Sequence, residues 1–346
     1  MKKIISIITV LFIVSTLFIG CSNTENPEST TNDGEELQQQ ETIELRAANV
    51  TQVDHPMNKA VEFFIQKVED RSDGRIKISN YPARQLGDDR ELFEQVQQGS
   101  LDIALVSAAP IGSTTDIASA LQLPFMFDNW NQWLEVMQSE ETQDLLSEFN
   151  QFNVKALAIY DSGFRNFVSV DKPLTSPESF SGMKIRVAET PLHLSIFKSL
   201  GASPTPLPYG EIYTSLQNKV IDGLEMDLPA VVMEKHYEVA KNITMSKHFT
   251  WPAIFMVNDA TWNSLSSEDQ QLFIDCAYEV LEENKEYIME QEQIAMDELK
   301  ENGITVTELS LEEKEVFVEA TKSVIEEYTS KNEKIKAFYE YVMNLR

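Results

Sequence analysis

The sequence predicts an α/β chain folded as two lobes. Three observations carry this. The first is length: 346 residues exceed what one ordinary hydrophobic core organises, so two lobes are the better expectation. The second is an alternation of strand-patterned and helix-patterned runs, β-α-β-α-β, over residues 42–106, the order of a parallel sheet with crossover helices. The third is an apolar-periodic stretch from Ser267 to about Asn302. At about 1.5 Å per residue, such a helix is too long for one small lobe and is expected to span two.

Each element has its local signal. Residues 42–48 alternate apolar and polar side chains and read as a strand. Pro56 opens a helix with Ala60, Val61, Phe64, Ile65 and Val68 on one face, since proline at the first helical position sacrifices no hydrogen bond. Ser72-Asp73-Gly74 ends it, and 75–81 is the second strand. Residues 86–90 (LGDDR) turn into a helix with Leu92, Phe93 and Val96 inward and Gly99 as its stop. A third strand covers 102–106. Residues 118–127 are apolar and broken by proline, and Trp130, Trp133, Leu134 and Met137 mark a helical face. Strands follow at 154–160, 164–170 and 183–187, with a turn at Lys172-Pro173. A helix over 191–200, an extended run over 202–206, a helix over 209–218 and a strand over 220–225 come next, then a further helix. Residues 242–247 and 254–258 are strand-like. The long helix, capped at 267–270, carries Leu272, Phe273, Cys276, Val280, Leu281, Tyr287, Ile288, Ile294 and Leu299 inward. A strand at 304–306 and two helices close the chain. There is no internal repeat.

The first 21 residues have the shape of an export signal: Met1-Lys2-Lys3 is basic, 4–19 is apolar, and Gly20-Cys21-Ser22 follows. The segment is short for a membrane span. Residues 17–21 (LFIGC) resemble the bacterial lipoprotein signal, which implies a lipidated Cys21 as the mature N-terminus. A transmembrane anchor and plain secretion are the alternatives, and all three place the folded part outside the cytoplasm. Residues 22–41 are Ser/Thr/Asn/Glu/Gln-rich, cannot bury enough to order themselves, and read as a disordered linker.

Composition excludes several function classes. Fifty-six Asp+Glu oppose 28 Lys+Arg, for a net charge of −28. Such a chain is a poor partner for nucleic acid, whose phosphates need basic side chains, and for a broad anionic-lipid surface. The two cysteines, Cys21 and Cys276, form no disulfide framework; Cys276 sits in the long helix's apolar stripe and reads as an inert thiol. The four histidines, at 55, 193, 236 and 248, lack metal-site spacing, so neither metal nor cofactor is expected. G-x-S-x-G, a phosphate-loop glycine run, a dinucleotide fingerprint and H-E-x-x-H are all absent. No enzyme is therefore expected.

In so acidic a chain, an anion is held only where positive charge has been placed for it. Arg165 and Arg186 each lie beside a short strand-like run, and arginine grips a carboxylate with two parallel hydrogen bonds. Both are candidates for holding the acid group of a small molecule in a cleft. Arg165 has the competing expectation of an ion pair with nearby Asp161. Asp88 and Asp89 read first as helix N-terminal charges, His55 as a loop or cap residue, and Tyr209 as core or pocket.

A set of short motifs falls in the order of a known family: His55-Pro56, Tyr81-Pro82, 86–90 (LGDDR), 99–102 (GSLD), 123–125 (LPF), 163–167 (GFRNF), 182–187 (GMKIRV), 201–206 (GASPTP), 211–217 (EIYTSLQ) and 220–225 (VIDGLE). With these, the chain resembles the substrate-binding proteins of tripartite ATP-independent periplasmic (TRAP) transporters, the DctP family, from about Ile43 to the C-terminus. The resemblance implies a two-lobed periplasmic-binding-protein-like fold with hinge strands and a long helix bridging both lobes. Lobe one would be 42–162 plus 251–290, and lobe two 163–250 plus 291–346. It implies capture of a small organic acid, a C4-dicarboxylate, sugar acid or related carboxylate, and delivery to integral-membrane TRAP permease subunits, with the membrane touched through the lipid anchor alone. Arg186 would pair with the ligand carboxylate and Arg165 support it. Asn49, Asp89, Arg90, Ser107 and Tyr209 match positions that line the pocket in some members, and His55 is a further candidate contact. The family's D-G-Q-E-N-P run, whose asparagine contacts ligand, reads here Asp222-Gly223-Leu224-Glu225-Met226-Asp227. Met226 supplies no amide, so either the ligand lacks its partner or Asp227 or another residue substitutes. Ser107 replaces the acidic group of sialic-acid binders, which counts against that substrate. A ligand-binding ectodomain of a sensor system, or an extracytoplasmic hydrolase, would be the alternatives to transport.

Overall fold

A computed structural model of the protein describes residues 42–346. The export signal, Cys21 and the linker expected over 22–41 lie outside the described residues. The first third holds β1 (Ile43–Ala48), α1 (Pro56–Arg71), β2 (Ile76–Tyr81), α2 (Asp89–Gln98), β3 (Ile103–Ser107), the short α3 (Ala108–Ile111), α4 (Trp130–Met137) and α5 (Glu140–Ser147). Then come β4 (Val154–Phe164), β5 (Asn166–Ser169), β6 (Lys184–Val187), α6 (Pro191–Ser199), β7 (Ser203–Pro206), α7 (Ile212–Gln217), β8 (Gly223–Met226), α8 (Leu228–Met233) and β9 (Asn242–Met245). The last part is β10 (Thr250–Asn258), α9 (Asp259–Ser264), α10 (Ser267–Glu301), β11 (Thr305–Glu308), α11 (Leu311–Lys331) and α12 (Glu333–Asn344).

The strands make two mixed sheets, ordered β2-β1-β3-β10-β4 and β11-β9-β5-β8-β6-β7. The expectation of a parallel sheet holds for β2-β1-β3, but β10 enters between β3 and β4 antiparallel to both. In the second sheet β5 is antiparallel to β8 and β9. The cause is common to both. The chain leaves the first sheet through β4 into β5 and returns from β9 into β10, and each strand entered after a crossing runs against its new neighbours. Arg165 is the single residue between β4 and β5. Its N–H donates to Phe249 O at 2.8 Å and its carbonyl accepts from His248 N at 3.2 Å, so the two crossing segments are bonded to each other.

Local signals explain the elements. His55 Nδ1 caps α1, accepting from Met57 N at 3.3 Å, and Pro56 is the first helical residue. Asp88 and Glu91 form a reciprocal capping box on α2, which Gly99 ends at φ +75°. Ser266, one residue before the expected cap, begins α10 by accepting from Asp269 N. The helices α5 and α9 were not expected: each is short, and its strongest signal is a capping side chain, Ser139 or Asn258.

The long helix serves both lobes. Phe273, Cys276, Val280 and Ile288 are buried in the first core, where Phe64 packs edge-on against Phe255 and Phe273. Ala295 and Leu299 are buried in the second, with Val168, Leu224 and Ile243. Between them α10 holds the crossing strand. Asn284 accepts from Asp161 N at 2.8 Å and donates to Asp161 O at 3.2 Å and Pro56 O at 3.3 Å. Glu292 accepts from Phe164 N at 3.1 Å and Trp130 Nε1 at 3.2 Å. Gly163, at φ +146°, lies where a Cβ would stand 2.9 Å from Asp227 Cβ, so a side chain would force these layers apart.

The C-terminal helix reaches back to the segment of α4 and α5: Gln132 Nε2 donates to Val342 O at 3.2 Å, and Lys334 pairs with Asp144 and Glu148. The buried face of α12 (Ile335, Phe338, Val342) joins the larger of the two apolar clusters.

Replacing Asn284 by alanine removes three buried hydrogen bonds and is expected to destabilise the fold by about 3 kcal/mol. Urea denaturation measures this; a loss under about 1 kcal/mol would dismiss the bond between α10 and the crossing strand as structurally important.

Candidate ligand-binding site

The crossing places a cavity between the sheets, lined by residues from both. Lobe-one elements contribute Val50, Thr51, His55, Asp88, Asp89, Arg90, Ser107 and Pro110. Lobe-two elements contribute Arg186, Ala188, Glu189, Leu207, Pro208, Tyr209, Asp227 and Ala230, and the crossing segments Ser162, Arg165 and Trp251.

The two arginines have different situations. Arg165 is buried and committed to protein groups. Nε meets Glu225 Oε2 at 2.5 Å, Nη1 meets Asp227 Oδ2 at 2.7 Å, and Nη2 donates to Glu225 O at 2.8 Å. Its guanidinium carbon lies 4.1 Å from the centre of the Trp251 ring. Burial alone would lower its pKa, but Glu225 and Asp227 more than offset this and the net shift is upward. Asp161 is not its partner. The Asp161 Oδ1 instead accepts from Ser162 N, Gly163 N and Trp251 N, a backbone-bracing role.

Arg186, 3% exposed, forms no ion pair among the described residues. Nε and Nη2 both donate to one backbone oxygen, Leu207 O, at 3.0 and 2.7 Å. Burial, only partly offset by Glu225 and reinforced by Arg165, brings its pKa down to about 10. A guanidinium buried without a carboxylate partner is costly, and this one lines the cavity.

The remaining wall sets a few polar groups among apolar ones such as Val50, Leu207 and Ala230. Asp89 Oδ1 accepts from Ser107 N at 2.9 Å, and burial raises its pKa to about 7. Ser107 Oγ accepts from Trp251 Nε1 at 3.2 Å. His55 Nε2 lies 3.8 Å from Asp227 Oδ1; burial lowers its pKa despite that carboxylate. Burial raises the Tyr209 phenol well above its ordinary value, so it stays protonated. Arg90 stands at the exposed rim of the cavity.

Two candidates lie elsewhere. Asn49 does not line the cavity. It is buried behind the wall, where Nδ2 donates to Asn58 Oδ1 and Oδ1 accepts from Thr51 N and Oγ1, shaping the loop before α1. Met226 is fully buried in the second core with Val168 and Leu224. Strand alternation is the reason: Met226 takes the core face of β8, while Glu225 and Asp227 on either side turn toward Arg165. Asp227 does line the cavity, but it is occupied by Arg165, Ser162 Oγ and the N–H of Ala230. Sequence reasoning missed Trp251, Ser162 and Thr51. They carry no local signal, since only the crossing brings them to the cavity.

Two sheets joined by crossing strands, a helix bridging both cores and a cavity between them that carries the buried Arg186 fit the class of two-lobed binding proteins. Comparison with known proteins narrows the class. The chain belongs to the DctP family, bacterial extracellular solute-binding protein family 7, whose description matches residues 47–332. It is 33% identical over 264 residues to the sialic acid-binding periplasmic protein SiaP of Vibrio cholerae, covering 76% of this chain and 81% of that one. A TRAP periplasmic solute-binding protein from a Bradyrhizobium species, solved with galacturonate, superposes with a TM-score of 0.82 at 29% identity, covering 87% and 99% of the two chains. The sugar acid binding protein DctPAm of Advenella mimigardefordensis, solved with galactonate, gives 0.82 at 29%, covering 88% and 97%. The chain is thus an extracytoplasmic binding protein for small molecules and not an enzyme.

Arg165→Ala leaves two buried carboxylates unpaired and is expected to cost about 3–5 kcal/mol of stability in urea denaturation. Unchanged stability would contradict its structural role. The raised pKa of Asp89 sets a pH dependence. Between the unfolded value of 3.8 and about 7 the folded state keeps a proton that the unfolded state has lost, so this group's contribution falls as pH rises through that window. Asp89→Asn is expected to flatten the decline in stability between pH 4 and 7 by roughly one bound proton, read from urea midpoints; an unaltered slope would refute it.

Proposed function

We propose that the chain captures a small organic acid between its lobes and holds the carboxylate on Arg186, with Arg165 fixed behind it. The observation that carries this reading is the Arg186 guanidinium, buried at the cavity wall with no ion pair and the Leu207 carbonyl as its hydrogen-bond partner among the described residues. A ligand carboxylate is the partner this charge lacks, and a bidentate pair suits it. The binders named for comparison take sialic acid, galacturonate and galactonate, each with one carboxylate and several hydroxyls. Asp89, Ser107, Ser162 and Tyr209 are groups to which such hydroxyls bond. A sugar acid is therefore the favoured ligand, ahead of a C4-dicarboxylate. The loaded protein would pass its acid to TRAP permease subunits, tethered to the membrane through lipid on Cys21.

A thermal-shift panel tests this: D-galacturonate, D-galactonate, N-acetylneuraminate, succinate, malate and 2-oxo acids. At least one acid is expected to stabilise the protein, by about 2.7 kcal/mol at a hundredfold excess over Kd. Arg186→Ala is expected to weaken that acid at least about 30-fold by calorimetry, the lower end for removing one member of a buried charge pair. A silent panel, or an unchanged affinity in Arg186→Ala, would overturn the assignment.

A further inference from the structure

We propose that Arg84 and Glu234 form a latch across the mouth of the cavity, with Gln52 as its second strut, that sets how long a bound acid is retained. The proposal rests on the binding function above. Arg84 follows β2 in the first lobe, whereas Glu234 ends α8 in the second. Arg84 Nη2 lies 3.2 Å from Glu234 Oε1 and 3.5 Å from Oε2. Gln52 Nε2, also from lobe one, donates to the same Oε1 at 3.2 Å.

Three features separate this contact from an ordinary surface ion pair, which contributes little. It is largely sheltered, with side chains 24% and 16% exposed. Arg84 also bonds both walls of the cavity: Nη1 donates to Val50 O at 3.1 Å, and the guanidinium sits 5.1 Å from the centre of the Tyr209 ring. Val50 and Tyr209 both line the cavity, so one side chain ties the lobe-one wall to the lobe-two wall. Finally, the backbone is held in the left-handed region on both sides, at φ +54° for Ala83, +62° for Arg84 and +56° for Lys235. Non-glycine residues persist there when surrounding contacts impose it. Ala83 N donates to Thr51 O at 2.7 Å, pinning the strained turn to the loop that carries Gln52.

Opening the cleft must break this cluster, so Arg84 acts as a positioning residue on the closed state. The first test needs no ligand. Hydrogen–deuterium exchange of the full chain is expected to quicken at least about fivefold at 207–211 and 50–52 in Arg84→Ala and Glu234→Ala, with β3 and β10 unchanged. The charge-swapped pair Arg84→Glu with Glu234→Arg is expected to slow exchange again relative to either single swap. Raising salt should speed opening in the wild type and not in Arg84→Ala. Exchange at wild-type rates in Arg84→Ala, or no recovery in the double swap, would overturn the latch. Stopped-flow tryptophan fluorescence with D-galacturonate supplies the second reading: dissociation about tenfold faster in Arg84→Ala with association little changed, where equal dissociation rates would count against it. Should D-galacturonate leave the wild type silent, that acid is excluded as ligand while exchange still decides the latch.

Discussion

The structure depends on one buried cluster, the Arg165 guanidinium with Glu225 and Asp227 at the point where the chain first crosses between lobes. Arg165 joins three separate pieces of chain. Its backbone bonds the returning segment at His248 and Phe249, and its side chain bonds the end of β8. Beneath it Asp161 braces the turn through three backbone N–H groups, and Asn284 of α10 holds Asp161 in turn. A charge cluster in such a place is held by mutual satisfaction: each group offsets the desolvation of the others, and none is stable alone. The cavity floor is therefore tied together where the chain crosses between the sheets.

That cluster divides labour between the two arginines. Arg165 already has carboxylate partners and forms part of the wall. Among the described residues, Arg186 bonds one carbonyl, forms no ion pair and lines the cavity. The division has a consequence in a chain of net charge −28. Its surface repels anions at long range, while a low-dielectric cleft strengthens the attraction of one unpaired cation at short range. The neighbouring Asp89, with a pKa raised to about 7, carries a negative charge only reluctantly and so opposes an incoming acid less than its type suggests.

The elements were largely legible in the sequence because their causes are local. Pro56, Gly99 and the apolar faces of α1, α2 and α10 act within a few residues, and the ordered motifs identified the family and with it the bilobed fold. The short helices α5 and α9 escaped because so few residues leave little periodicity. The antiparallel β10 escaped because strand direction is set by where the chain comes from.

The sequence by itself determined that this is a two-lobed α/β binding protein with two arginines worth following. Tertiary structure decided what each residue does. Glu225 and Asp227, some sixty positions from Arg165, rather than nearby Asp161, became its partners. The two-residue alternation of β8 turned Met226 into the core, and Asn49 became a loop brace behind the wall. The physical reason is range. Helix caps and apolar periods are written within a turn or two of chain, whereas the partner of a buried charge is chosen by which distant segments the crossing brings within hydrogen-bond reach.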